Sequence, residues 1–431
     1  MKLAKMSMVA ALLLGANAYA IDNVKVSGDA KLYYQTEDRD TDGVTDQPDM
    51  FDSGASAGDV ALHLGLTADL TEGVSAGVSI TAVTTLGLEN NLVNNTWSAA
   101  HRGTANPTGG NTALGHIQVD DEMWVDEAWI AGTAGKTTLK AGRQALDTPL
   151  AFTETWGIDT NTFEATVLLN QDLPDTTLIG AYIGKSNGSA TAVDAQQGHG
   201  VAGYVANGAG FDSFYNGAYA AGVVNNSWKP LTAQAWYYDM QTLATAYWLQ
   251  ADLDIEGILA GAQYTSMDSA AAGDKDDEAY AVMLGYAMKD VVTIKAAYSS
   301  VDDEGTFGVS NTATGTGTNL TGTTGAQSKL YTEMWWNYGN VSSTGADSYA
   351  ITAEGTAMGV DLFAGYYMAD IDVANDANDK EVTEITLTAG KSFGPLDASV
   401  AVIYDDIDYD DASASADTDA TTLQVYLTYN F

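Results

Sequence analysis

Apolar and polar residues alternate with a period of two along almost the whole chain, in segments too long for an ordinary soluble sheet. In the first segment Val24, Val26, Gly28, Ala30, Leu32 and Tyr34 share one face, and Lys25, Ser27, Asp29, Lys31 and Tyr33 share the other. Val60, Leu62, Leu64 and Leu66 stand against Asp59, His63 and Thr67, and Val74, Ala76, Val78 and Ile80 stand against Ser75, Gly77 and Ser79. Successive side chains of a strand point to opposite sides, so this pattern predicts strands with one apolar and one polar face. A helix would need apolar spacings of three and four, which these segments lack. Most segments run about 9–13 residues, against about 5–6 in soluble sheets, and that length suits a tilted strand crossing a bilayer.

The connections alternate too. Short turns such as Thr71-Glu72-Gly73, Ile255-Glu256-Gly257 and Phe393-Gly394-Pro395 interleave with long polar stretches at 35–57, 87–121, 185–212 and 302–346. All 6 prolines fall in connections, as they must if each strand is hydrogen-bonded on both sides. The predicted fold is an all-β transmembrane antiparallel barrel of about 18 strands, with short periplasmic turns and long extracellular loops. The expected spans are 24–35, 58–70, 73–86, 122–132, 137–144, 162–170, 176–184, 213–224 and 230–239. They continue with 243–253, 256–266, 278–288, 290–301, 347–357, 359–370, 381–392, 395–405 and 419–431. A nineteenth candidate at 329–338 alternates less well and is assigned to a long extracellular loop, because single-chain barrels carry an even count. The soluble alternatives are a secreted β-sandwich and a β-solenoid, and the solenoid is opposed by the lack of any fixed repeat.

Residues 1–20 stand apart from this pattern. Lys2 and Lys5 form a basic start, an apolar run from Met6 to Gly15 follows, and Ala18-Tyr19-Ala20 supplies a small-x-small cleavage site. The segment reads as a secretory signal peptide cleaved after Ala20, leaving one barrel domain over 21–431. The alternative, an uncleaved anchor, would need an apolar run of about 20 residues.

Charge and composition remove whole classes of function. With 57 acidic against 17 basic residues and a net charge of −40, nucleic acid is excluded as a partner, since phosphate binding needs clustered cations. The absence of cysteine excludes disulfides, zinc–thiolate sites and thiol catalysis. His63, His101, His116 and His199 are scattered, and no Walker-type phosphate loop is present. The chain is therefore not expected to be an enzyme or to require a cofactor.

The last strand ends in a recognisable way. Leu423, Val425, Leu427, Tyr429 and Phe431 alternate outward, and Gln424, Tyr429 and Phe431 resemble the terminal signal read by the barrel-assembly machinery. Tyr426 stands where that signal usually has glycine. IDNVKVSGDAKLYYQT, TADLTEGVSAGV, AGKTTLKAGRQALDTPLAFTETW, LTAQAWYYD, MLGYAMKDV and KSFGPLDAS resemble the Opr-type porins of epsilonproteobacteria, relatives of the larger set of 18-stranded porins. The resemblance covers essentially the whole mature chain. It implies an outer-membrane channel for passive diffusion of small polar solutes, often as a homotrimer. Lipopolysaccharide and outer-membrane lipid would surround it, with divalent bridges to the acidic clusters. A non-conducting surface barrel with an adhesive or structural role is the rival reading.

In a channel the functional surface is the lumen, above all a loop folded inward. The candidate constriction is 145–161, whose Leu150, Phe152 and Trp156 would be costly in water but could anchor the loop to the inner wall. Asp147, Glu154 and Asp159 lie on it, and Lys31, Glu127, Lys140, Glu164, Lys295, Asp361 and Asp397 are expected on inward faces of strands. Strict alternation puts Arg143 on the lipid face, where a charge costs about 2–4 kcal/mol at mid-membrane. A bulge near Gly142 is therefore expected to turn Arg143 inward. Counting four cations against five carboxylates near the constriction leaves the acidic mouth to set a mild cation preference.

The first long loop holds a sharper motif. Asp38, Asp40, Asp42, Asp46 and Asp49, with Gly43, occupy positions 1, 3, 5, 9, 12 and 6 of a calcium loop. Position 12 is Asp instead of Glu, and no flanking helices are expected. Two readings stay open, a calcium site and a solvated acidic loop.

Overall fold

The computed structural model describes residues 22–45, 47–84, 86–88, 91–93, 97–99, 102–103, 122–188, 211–270, 275–314, 326–372, 379–410 and 416–431. Eighteen of its strands join in one sheet. They are β1 (Asp22–Thr41), β2 (Ser56–Thr71), β3 (Val74–Thr84), β4 (Glu122–Ala134), β5 (Thr137–Gln144) and β6 (Phe163–Asn170). The middle third is β7 (Thr176–Ser186), β8 (Asp212–Asn225), β9 (Leu231–Met240), β10 (Ala244–Ile255), β11 (Ile258–Ser269) and β12 (Asp277–Met288). β13 (Val292–Val301), β14 (Ala346–Ala357), β15 (Val360–Ile371), β16 (Lys380–Phe393), β17 (Leu396–Tyr409) and β18 (Thr418–Asn430) complete it.

Each strand runs antiparallel to its neighbours, and β18 pairs with β1 from Asp29↔Asn430 to Thr41↔Thr418, which closes the ring. The expected barrel of 18 strands is therefore the observed one. Its largest departure from the expected spans is β1, which continues to Thr41 because β18 pairs with it that far. At the seam Gly28 and Phe431 exchange N–H···O bonds at 3.0 Å in each direction. A Cβ on Gly28 would stand 2.8 Å from two carbons of the Phe431 ring, so only glycine lets that terminal aromatic lie flat on β1. Tyr429 and Phe431 face outward, whereas Gln424 faces inward, where its amide reaches Gln35 at 3.5 Å.

The two walls have opposite chemistry. Outward residues such as Leu284, 68% exposed, and Ile351, 56% exposed, form an apolar belt that water would solvate poorly. Tyrosines band this belt toward the long-loop end from β7 to β17, with rings in contact between Tyr182 and Tyr219, Tyr237 and Tyr247, and Tyr298 and Tyr349. Val78, Leu64, Ile294 and Val400 lie on this outer wall, and Thr67, Ser79, Lys295 and Ser399 on the inner one. No helix among the described residues is long and apolar enough to cross a membrane.

The nineteenth candidate is a loop, as its weaker alternation led one to expect. Residues 329–338 form no strand, but the segment does not project outside the barrel. It runs along the inner wall, because backbone polar groups there find partners on β11 and β16.

Candidate functional site in the barrel lumen

Two connections at the long-loop end fold into the barrel and pack on each other. In the first, between β5 and β6, the Leu150 N–H donates to the Tyr238 hydroxyl on β9 at 3.4 Å, and the Trp156 carbonyl accepts from the Tyr426 hydroxyl on β18 at 2.8 Å. β9 and β18 stand on opposite sides of the 18-strand ring, so the segment between these contacts crosses the lumen. Apolar anchoring holds both ends: Leu150 and Phe152 are buried on one side, and Ile158 packs with Tyr33, Ala61, Val83 and Trp124 on the other.

The second inward connection, between β13 and β14, is pinned by carboxylates on the wall. Asp277, at the start of β12, accepts N–H bonds from Thr306, Phe307 and Gly308 at 3.1, 2.9 and 2.8 Å. Glu384 on β16 accepts from the N–H groups of Trp335, Trp336 and Asn337, the last at 2.7 Å. Gln263 on β11 donates to the Lys329 carbonyl at 2.8 Å and accepts from the Tyr331 N–H at 3.1 Å. Several N–H donors on one carboxylate satisfy backbone groups that would otherwise be stranded in the interior.

Glu154 joins the two connections. Its fully buried carboxylate accepts from the Thr314 hydroxyl at 2.6 Å, the Asn311 amide at 2.8 Å, the Gln327 N–H at 3.1 Å and the Trp156 indole at 3.1 Å. Nearby, Glu333 is held by the Ser328 hydroxyl and by N–H donors of Ser328 at 2.6 Å and Gly339 at 3.0 Å. Burial pushes the Glu333 carboxyl up to about 7, the Glu154 carboxylate adds to the rise, and these donors oppose it.

The sequence-derived residues fall into three groups. Lys31, Glu127, Lys140 and Lys295 face inward, with Lys140 4.4 Å over the Trp129 ring and Lys295 3.5 Å from Glu354. Asp147 also reaches open space, 87% exposed at its side chain, and pairs with Lys329 at 2.8 Å. Glu154 and Asp159 are buried instead, 0% and 2% exposed, so neither presents its charge to a solvent path. The expectation that they line the constriction is corrected: they are enclosed when the loop folds against its neighbours.

Arg143 and Glu164 form the third group, and here too the expectation fails. Pairing is continuous through Ala128↔Arg143 and Arg143↔Glu164, next to the inward pairs Trp129↔Gly142 and Gly142↔Ala165, so both charges point outward. Gly142 does adopt φ +126°, and a Cβ there would stand 2.1 Å from the Ala128 carbonyl, but it adds no residue to the ladder. The bulge lies one strand away, where Ser79 pairs with Glu127 and Ile80 with Val125, leaving Asp126 as the extra residue. Arg143 tolerates the outer face because it sits at the strand end, bonded to Glu164 at 3.0 Å and to the Val125 carbonyl at 2.8 Å. Lys185 approaches the same carboxylate at 3.8 Å.

The acidic motif is not gathered either. Asp38 and Asp40 lie on β1, opposite Thr421 and Asp419, so they are spaced by a strand repeat of about 6.6 Å. Gly43 turns the chain only afterwards, at φ +79°. Asp46 lies outside the described residues, as do His101, His116 and His199, and no group of three or more ligating side chains converges among the described residues.

Sequence reasoning missed several groups that the lumen brings together. Asp252 and Glu354 face inward on β10 and β14, and the Tyr331 hydroxyl donates to Asp252 at 2.5 Å; Asp361 and Asp397, expected on inward faces, do lie there on β15 and β17. Lys329 lies 4.4 Å over the Phe152 ring. Leu330, Met334, Trp335 and Trp336, apolar in an otherwise polar connection, carried the same signal that singled out 145–161.

No family model matches the sequence, and no curated protein matches it. Solved structures do. Pseudomonas aeruginosa OccK9 (OpdG) superposes with a TM-score of 0.68 at 14% identity, covering 95% of this chain and 99% of that one. P. aeruginosa OpdK, solved with vanillate, gives 0.65 at 13% identity over 94% and 99%. Acinetobacter baumannii OccAB4 gives 0.65 at 12% identity over 94% and 98%. At such identities the likeness is one of fold.

Proposed function

We propose that the protein is an outer-membrane porin, a water-filled channel for passive diffusion of ions and small hydrophilic solutes. The carrying observation is the pairing of an apolar outer wall with a charged inner wall in a closed 18-stranded ring. The sequence resemblance to Opr-type porins and the fold likeness to the Occ and Opd proteins support the same reading.

A mild cation preference follows from the lumen as folded, though not from the residues counted in the sequence. In the short-turn half Asp29, Asp69, Asp252, Glu354, Asp361 and Asp397 outnumber Lys25, Lys31, Lys140 and Lys295, and the whole chain carries −40. Lys329, on the second inward loop, opposes that field locally. Calcium in the first loop is not needed for this function.

Export through a signal peptide cleaved after Ala20, insertion by the barrel-assembly machinery and contact with lipopolysaccharide belong to this reading. A homotrimer does as well. The tyrosine band spans β7 to β17, and toward the long-loop end the outer face of β18 and β1–β6 carries Tyr34 and the Arg143–Glu164 pair instead, the sector against which a second copy would pack.

The crossing of the lumen by two loops favours one rival, a sealed barrel serving at the surface. Liposome swelling separates the two. Proteoliposomes swell in isotonic arabinose or glycine if the channel is open, and hold their volume if the loops seal it.

A further inference from the structure

Beneath the second inward loop, on the β13–β18 side, the lumen opens into a cavity of about 470 Å³, within the range of about 300–1,000 Å³ for small-molecule sites. Thr293, Glu354, Asp361, Phe363, Thr388 and Tyr426 line it from the inward series, with Gly355, Leu362 and Val400 of the outward series between them, which places it against the lumen wall. Its roof is Trp335, which is 41% exposed and whose backbone N–H is fixed on Glu384 at 3.0 Å. The Trp335 ring lies 5.5 Å from the Phe363 ring at 32°, and Tyr426 closes the far side.

An indole face left in water is unfavourable for an idle channel wall. Glu354 stands directly across the ladder from Phe363, and Asp361 lies on the same face two residues before it. Both carboxylates are exposed to the cavity, and Lys295 opposes them at 3.5 Å from Glu354. Asp361 is held in place by the Thr356 hydroxyl at 2.6 Å. Exposed π faces beside a net negative rim attract a positive charge carrying an apolar body: the ring quadrupole and the carboxylates act on the same pole. An anion meets the carboxylates first, and a bare alkali ion gains from the carboxylates without covering the indole.

We propose that this cavity is a binding site for small organic cations, ammonium groups with an apolar or aromatic body, with Trp335 as the stacking platform and Glu354 and Asp361 as the counter-charges. The inference rests on the channel reading only in placing the site on the path of diffusion.

Calorimetric titration of the full-length protein in detergent tests it, with benzyltrimethylammonium as probe and benzoate, glucose and potassium as comparisons. The cation should bind with a measurable heat and the other three should not. Trp335→Ala should weaken binding about ten-fold while Trp335→Phe retains most of it. Glu354→Gln and Asp361→Asn should each weaken it several-fold and reduce its dependence on salt. Equal binding of benzoate or glucose, or unchanged affinity in Trp335→Ala, would overturn the proposal. Titration needs no conduction, so a protein that conducts without binding the cation refutes this site alone. One that binds the cation without conducting refutes the channel alone.

Discussion

The Tyr426 hydroxyl, 270 residues away in sequence, donates to the Trp156 carbonyl at 2.8 Å and fastens the first inward loop to the last strand of the barrel. The same ring packs on Tyr33 at 4.7 Å across the closing seam, so one side chain joins barrel closure to loop position. Removing only the hydroxyl isolates the second role. Tyr426→Phe should cost about 1 kcal/mol of stability in detergent and raise the noise of the open-channel current. An unchanged thermal transition with unchanged noise would place the loop's anchorage elsewhere.

Glu333 gives the loops a pH dependence whose sign is fixed by its burial. Its carboxyl titrates at about 7 in the folded protein against an ordinary 4.5, so the native state holds the extra proton between those values. Stability from this group is greatest at low pH, declines as pH rises from about 4.5 through 7, and is level above. Limited proteolysis of the inward loops should therefore be slower at pH 5 than at pH 8, and Glu333→Gln should flatten the difference. A wild-type protein more resistant at pH 8 would reverse the sign.

Cysteine substitution reads the two walls directly, because the native chain has no thiol. In proteoliposomes a hydrophilic maleimide should modify Thr67→Cys, Ser79→Cys, Lys295→Cys and Ser399→Cys, and spare Leu64→Cys, Val78→Cys, Ile294→Cys and Val400→Cys. Equal labelling of both sets would contradict the register.

The first acidic loop makes a negative prediction. With Asp38 and Asp40 extended along β1, calcium should shift the melting temperature of the Asp38→Asn/Asp40→Asn/Asp42→Asn variant as much as that of the parent. A calcium-dependent rise present in the parent and lost in the variant would show that these carboxylates do converge on an ion.

Strand positions were legible because a strand's alternation is a local property, and one apolar face per segment leaves a single register possible. The lumen was legible only in part. Parity put Lys31, Glu127, Lys140 and Lys295 on the correct wall, since facing is decided within the strand. It misled at Glu164, where an expected start at residue 162 hid the inward series Phe163, Ala165 and Val167. For Arg143 parity was right, and the energetic argument against it assumed a mid-membrane depth that the strand end does not have.

The loops were harder because their burial depends on contacts made far away in sequence. Glu154 looks like a channel carboxylate until Asn311, Thr314 and Gln327 close over it. Residues 329–338 look like a failed strand until Glu384 and Gln263 take their backbone groups. Tyr426 left a trace: it departs from the glycine usual in the terminal signal because its side chain is needed inside the barrel.

Single-channel recording in a planar bilayer, under a gradient of KCl, tests the channel most directly. An open, carboxylate-dominated lumen gives discrete conductance steps and a reversal potential displaced toward that of potassium, with the displacement shrinking as salt rises. Purified, correctly folded protein that inserts without any conductance steps would contradict the channel. Steps with a reversal potential displaced toward chloride at low salt would contradict the carboxylate-dominated lumen.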